Sequence, residues 1–242
     1  SFLSFKNLLT FEDLPMPSGT YYVGTSTLTW EDEKRLEMFT KTPDDKRKVK
    51  VQVWYPSKFK SQNLQPYLDG GKARLEHISY QLGLPKAIIK NILKIKTNSY
   101  LDVEPIKNEN FPLILFSHGL GGMRTQNMIH IEHLVSNGYI VVAIDHSYDA
   151  NIVYFDDGSY AEYQSDTHML VNILYGDTAT YIERDDYTTE EIRDFRYFGL
   201  KNRSDDLLFV LNQIELLKNN NNYKYFKNVN LDRVGVFGHS YG

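Results

Sequence analysis

The sequence predicts an α/β fold with a mostly parallel central sheet flanked by helices, and three observations carry that expectation. Leu113-Ile114-Leu115-Phe116 is a short, wholly apolar run, the signature of a strand buried on both faces. A second such run, residues 139–144, follows after one helical pattern, and a third, Arg233-Val234-Gly235-Val236-Phe237, follows after another. Strands that alternate with helices imply parallel pairing through right-handed crossovers.

Ahead of this region, residues 20–30 are rich in Tyr, Val and Thr, and Val49, Val51, Val53 and Tyr55 alternate with Lys48, Lys50, Gln52 and Trp54 up to Pro56. That alternation predicts early antiparallel strands at the sheet edge with one face wet. Tyr67-Leu68-Asp69-Gly70-Gly71 reads as a turn. Residues 86–96 set Ile88, Ile89, Ile92, Leu93 and Ile95 among Lys86, Lys90, Lys94 and Lys96, which predicts a basic amphipathic helix. Two readings of that helix stand: a peripheral element at a membrane or lipid interface, or a lid or helix packed on the core. Met128, Ile131 and Val135 mark a helical face that ends at Asn137-Gly138. The polar residues between Asp149 and Arg203 read as a long excursion over the sheet edge. Ser204-Asp205-Asp206 offers a capping hydroxyl and two acids for a helix start, and Leu207, Val210, Leu211, Ile214 and Leu217 form the stripe that follows.

Of the 242 residues 41% are hydrophobic and 24% charged, with 13 Phe and 18 Tyr, enough apolar material for a packed interior and too much for a disordered chain. One domain is expected over residues 1–242. Lys plus Arg number 27 against 31 Asp plus Glu, and the resulting net charge of -4 provides no positive field for nucleic acid. The absence of cysteine removes disulfides, thiolate metal sites and a Cys nucleophile, and leaves secreted, periplasmic and cytoplasmic locations all open. The apolar runs fall far short of the ~20 residues that span a bilayer.

Chemistry concentrates at two turns. Gly238-His239-Ser240-Tyr241-Gly242 fits G-x-S-x-G and directly follows an apolar strand, the context of a nucleophile elbow. The pattern alone is weak, because with Gly and Ser each near ~7% of residues it arises by chance in roughly one such chain in a dozen. A second motif agrees with it: Phe116-Ser117-His118-Gly119-Leu120-Gly121-Gly122 is a glycine-rich loop after an earlier strand, where small residues let backbone N–H groups face a carbonyl. Neither G-x-x-x-x-G-K-[ST] nor G-x-G-x-x-G occurs, which argues against a phosphate cradle. The expected nucleophile is therefore Ser240, with an oxyanion hole formed by the main-chain N–H groups of Leu120 and Tyr241. His118 and His239, inside turn motifs, are expected to be structural. Asp145 and His146 end a strand at the edge where active sites gather, or are simply polar residues at a strand end. Asp145, His146 and Asp149, or His130 and His133, offer oxygen and nitrogen ligands, but the ester chemistry requires no metal and no cofactor.

On these motifs, with Val49-Gln52-Trp54-Tyr55-Pro56 before them and Met123-Arg124 between, the chain resembles the platelet-activating factor acetylhydrolase family of α/β-hydrolases. The resemblance implies a calcium-independent serine hydrolase that cleaves short acyl esters of a small-molecule or phospholipid substrate through an acyl-enzyme on Ser240. It also implies that the triad Asp and His follow the nucleophile. The chain is thus expected to be the N-terminal portion of such a domain, with a C-terminal continuation or a second chain fragment supplying both residues. A general carboxylesterase, a cutinase-like polyester hydrolase and a dienelactone hydrolase share the elbow, and a non-catalytic binding module is the alternative outside enzymes.

Overall fold

The first two strands, β1 (Tyr22–Leu36) and β2 (Lys46–Ser57), pair antiparallel in the computed structural model, which describes residues 13–40, 42–164 and 188–242. After them come β3 (Leu64–Pro66), α1 (Gly71–Leu82), α2 (Lys86–Ile89) and β4 (Lys96–Leu101). The region read as α/β gives β5 (Phe111–Ser117), α3 (Met128–Ser136), β6 (Ile140–His146), a small hairpin of β7 (Ile152–Tyr154) and β8 (Tyr160–Glu162), α4 (Thr189–Leu217) and β9 (Val229–Gly238). The main sheet has seven strands in the order β3-β4-β1-β2-β6-β5-β9. Strands β4, β1, β6, β5 and β9 run one way and β2 and β3 the other, so the sheet is mixed but mostly parallel in direction.

Both faces of the central strands are covered, which is why their sequences are apolar without a break. Val49, Val51 and Val53 of β2 and Ile140, Val142 and Ile144 of β6 pack with Val210 and Ile214 of α4. Trp54 of β2 and Val141 and Ala143 of β6 turn the other way, onto Met128, Ile131 and Val135 of α3. Side chains that alternate across a strand thus separate α3 from α4 by the thickness of the sheet.

Three sequence expectations are corrected. β2 is no wet edge: β6 pairs along its other side, and Lys50 and Gln52, two of its alternating polar positions, are buried and bonded. Gln52 donates to Thr25 Oγ1 at 2.9 Å and accepts from Arg124 Nε at 3.0 Å, and Lys50 reaches Thr29 and Asp156. The basic helix of residues 86–96 is instead α2, a 3-10 turn at Lys90–Lys94 and the start of β4. Three of its isoleucines face Leu68 and Leu75: Ile89 is buried, and Ile88 and Ile92 pack beside it. Among the described residues no helix is long and apolar enough to cross a membrane. Finally, α4 does not start at Ser204. Thr188 caps it in a reciprocal capping box with Glu191, and Ser204 Oγ donates back to Leu200 O within the helix. Of the expected excursion between Asp149 and Arg203, residues 165–187 lie outside the described residues.

The acid pair read as a helix start thus has another task. Asp206 is fully buried on the face that continues the Val210 and Ile214 stripe toward the N-terminus of α4. Its carboxylate accepts from Arg47 Nε at 3.2 Å and Nη2 at 2.8 Å, from Arg35 Nη2 at 2.7 Å and from His146 Nδ1 at 2.9 Å. Burial alone would raise its pKa, but the Arg47 charge and the bonds from His146 and Arg47 outweigh it and hold Asp206 well below the usual carboxylate range. Removing one partner of such a pair leaves the other charge buried and unmet. Asp206→Ala is expected to destabilise the fold by about 3–5 kcal/mol, measured by denaturant unfolding of the full-length protein.

Candidate active site

The parallel strands β6, β5 and β9 end side by side, and their C-terminal ends bring together Asp145-His146, the glycine loop and the turn around Ser240. The last strand pair joins Ser117 to Gly238, after which His239 N donates to Ser117 O at 3.1 Å and Gly242 N closes the turn onto His239 O at 2.9 Å. Ser240 takes a left-handed backbone, φ 56°, which costs a non-glycine residue roughly 1–3 kcal/mol and is the conformation of a sharp strand-to-helix elbow. The flanking glycines make the turn sterically feasible. A Cβ on Gly238 would lie 2.3 Å from the Gly242 carbonyl carbon, and one on Gly242 would lie 2.1 Å from Ser117 O.

The glycine loop lies directly against this turn: a Cβ on Gly119 would stand 2.9 Å from His239 Nδ1 and 3.3 Å from Ser240 Cβ. Gln126 bridges the two segments, accepting from Gly119 N at 3.0 Å and donating to His239 Nδ1 at 3.2 Å. Within the loop Gly121 N is taken by Asp149 O at 3.0 Å and Gly122 N by Gly119 O at 2.9 Å. Among the described residues the N–H groups of Leu120 and Tyr241 donate to no protein acceptor. The elbow serine therefore sits beside two unengaged main-chain donors, on neighbouring turns, with Leu120 half exposed.

Beneath these turns is a buried polar layer. His118 and His146 are fully buried with rings 5.2 Å apart. His118 donates from Nδ1 to Gly119 O at 2.6 Å and accepts from His146 N at Nε2, 3.2 Å away. That pattern requires neutral imidazole, and burial, together with the neighbouring His146 and the Arg203 charge, pushes its pKa down to about 3. Burial also lowers His146, against the opposing pull of Asp206. Neutral His146 donates through Nδ1 to Asp206 and accepts at Nε2 from the Ser117 hydroxyl, 3.0 Å away.

Ser117, His146 and Asp206 thus reproduce the bond order of a catalytic triad. Their burial separates them from one: Ser117 is 2% exposed and the other two are at 0%, so no ester carbonyl reaches the hydroxyl. The other acids and arginines near the strand ends are similarly engaged. Asp145 accepts from Arg124 N at 2.5 Å and pairs with the guanidiniums of Arg124 and Arg74, while Asp149 pairs with Arg203. The residues weighed as metal ligands, Asp145, His146 and Asp149, therefore already have protein partners. His133, the other strand of that reading, meets Ser18 Oγ at 3.4 Å on the outer side of α3.

Sequence reasoning identified both turns and missed what lies behind them: Gln126, Arg203 and Asp206. A signal existed for the last two. Arg203 and Asp206 occupy the positions that extend the buried Val210 and Ile214 stripe of α4, and charges on an apolar stripe call for buried partners.

Residues 10–242 match the family described as platelet-activating factor acetylhydrolase, isoform II. The platelet-activating factor acetylhydrolase of Gallus gallus is 25% identical, over 95% of this chain and 54% of its own length. That of Canis lupus familiaris is also 25% identical, over 95% and 50%. The chain spans about half the length of the curated relatives it matches. Among solved structures, the ferulic acid esterase from Streptomyces cinnamoneus aligns with a TM-score of 0.65 at 25% identity, over 95% of this chain and 55% of that one.

The buried histidines make stability depend on pH. His118 stays neutral in the folded state, whereas the unfolded chain takes up a proton near the ordinary value of 6.5, so folding loses free energy as pH falls from about 6.5 toward about 3. The slope approaches about 1.4 kcal/mol per pH unit for one such group, and His146 acts in the same direction. The melting temperature is expected to drop steadily between pH 7 and pH 5, with a shallower slope in His118→Gln, as followed by calorimetry.

Proposed function

We propose, from the premise that the chain belongs to the platelet-activating factor acetylhydrolase, isoform II family and has the α/β-hydrolase fold, that it carries the nucleophile and oxyanion donors of a serine-dependent carboxylic ester hydrolase. In this reading the chain is the N-terminal portion of a single α/β-hydrolase domain. The observation that carries it is the meeting of the two turns: Ser240, held in a left-handed elbow, beside a glycine loop whose Gly119, Gly121 and Gly122 N–H groups are engaged while Leu120 N–H is free.

Ser240 Oγ attacks the acyl carbonyl, its proton passing to a general base, and the carbonyl oxygen gains negative charge as the tetrahedral centre forms. Leu120 and Tyr241 N–H groups donate to that oxygen. Each donor aligned with the developing charge contributes about 3–4 kcal/mol to lowering the barrier. Collapse expels the alcohol and leaves an acyl-enzyme on Ser240, which water then cleaves. In the family's pattern the base and its acid come after the nucleophile in chain order.

The substrate class is a short acyl ester, including those carried on phospholipids, as the names of the relatives support. The apolar side chains of residues 86–96 pack on α1, which supports a core element there rather than one at a lipid surface.

Two serines compete for the nucleophile's role, and a fluorophosphonate probe separates them. In the full-length protein Ser240→Ala is expected to abolish both labelling and ester hydrolysis, whereas Ser117→Ala keeps the label. Labelling that survives in Ser240→Ala and disappears in Ser117→Ala would transfer the chemistry to the buried trio. A comparison of acetyl and long-chain phospholipids then tests the acyl preference, with a rate advantage for the short chain expected.

A further inference from the structure

We propose that Arg203 of α4 is a positioning residue that sets the alignment of the two oxyanion donors. The inference rests on the reading of Ser240, Leu120 and Tyr241 given above and extends it to a side chain that touches neither Ser240 nor substrate.

The guanidinium is 3% exposed and reaches both turns at once. Its Nη1 donates to His118 O at 2.5 Å, immediately before the glycine loop, and lies 3.5 Å from Ser117 Oγ. Its Nε pairs with the Asp149 carboxylate, and the main chain of Asp149 accepts from Gly121 N at 3.0 Å, immediately after Leu120. Arg203 therefore fixes the segment on each side of Leu120. Its planar face lies 5.1 Å from the centre of the Tyr241 ring, an arrangement suited to cation–π attraction.

Tyr241 is held to the same helix by a second contact. Its hydroxyl donates to Arg196 O at 3.0 Å. Gly199 lies between the two arginines, where a Cβ would stand 2.8 Å from that hydroxyl oxygen. Arg196, Gly199, Arg203 and Asp206 share one face of α4. This face meets the elbow, the glycine loop and the end of β6 in turn, so the spacing of the two donors is read off a single helix.

A lysine reaches one of these acceptors but has no flat face for the ring and no second arm for Asp149.

Misaligned donors weaken the transition state more than the bound ester, so the effect belongs in kcat rather than KM. The test uses the full-length protein with Arg203→Met and Arg203→Lys, a matched aryl oxoester and thionoester, and active sites counted by fluorophosphonate titration. Sulfur in place of the carbonyl oxygen fits an aligned oxyanion hole poorly, so the wild type is expected to favour the oxoester. In both variants kcat per titrated site for the oxoester is expected to fall about 10–100-fold, less than the loss of a whole donor. KM stays within about twofold, and the oxoester preference shrinks in parallel. Arg203→Lys recovers melting temperature more fully than kcat. An unchanged preference, or equal losses on the two esters, overturns the proposal, because a merely structural arginine lowers the number of active sites without changing how each treats oxygen and sulfur. The two readings fail separately. Hydrolysis that survives in Ser240→Ala removes the nucleophile assignment and Arg203 with it, whereas an inactive Ser240→Ala beside an unchanged preference removes Arg203 alone.

Discussion

Asp206 stands where three elements meet, and the geometry of the site depends on how that buried carboxylate is satisfied. Arg47 from β2, Arg35 from the end of β1 and His146 from the end of β6 all converge on it from around α4. Burying a carboxylate carries a desolvation penalty of several kcal/mol, which only a close arrangement of opposite charge and hydrogen bonds offsets. Few placements of α4 satisfy all of these partners together. The helix is thereby fixed in rotation as well as in position, which apolar packing of Val210 and Ile214 alone would leave less sharply defined. Once Asp206 is seated, Arg203 and Gly199 on the same face necessarily point at the glycine loop and at Tyr241.

The second constraint is steric. Gly238, Gly242 and Gly119 occupy points where main chain or side chain approaches closer than any Cβ allows. The turn around Ser240 and the glycine loop therefore interlock, with Gln126 bonded to both. Internal hydrogen bonds consume the N–H groups of Gly119, Gly121 and Gly122, an economy of donors that leaves Leu120 unengaged. Preorganisation of this kind matters for charge that appears only in a transition state, because donors already in place need no reorganisation when it develops.

Ser117, His146 and Asp206 show how far a bonding pattern can mislead. Distances of 3.0 and 2.9 Å in the order hydroxyl, imidazole, carboxylate would satisfy a search for a triad. Access decides otherwise, since a nucleophile must meet its substrate. The same three residues make good sense as a scaffold: a neutral imidazole joins the end of β5 to α4, and the main-chain N–H of His146 donates to His118 beneath the loop.

The sequence by itself determined β1, β2, β5, β6 and β9, the helix α3 and the two turns, and gave no sign of β3, β4, β7 and β8. Apolar runs report burial on both faces, and the glycines of G-x-S-x-G and of the loop report places where chains nearly touch. It misjudged β2, α2 and the start of α4, each for want of knowledge of a neighbour. Alternating lysines look solvent-facing until Asp156 and Thr29 are found opposite Lys50, and Ser204-Asp205-Asp206 looks like a cap until Arg47 is found beside Asp206. Local pattern encodes which residues want partners, because periodicity and side-chain chemistry are properties of the chain itself. Which partners they obtain is a property of tertiary structure, since Arg47 and Asp206 are 159 residues apart and only the folded sheet brings them within 2.8 Å.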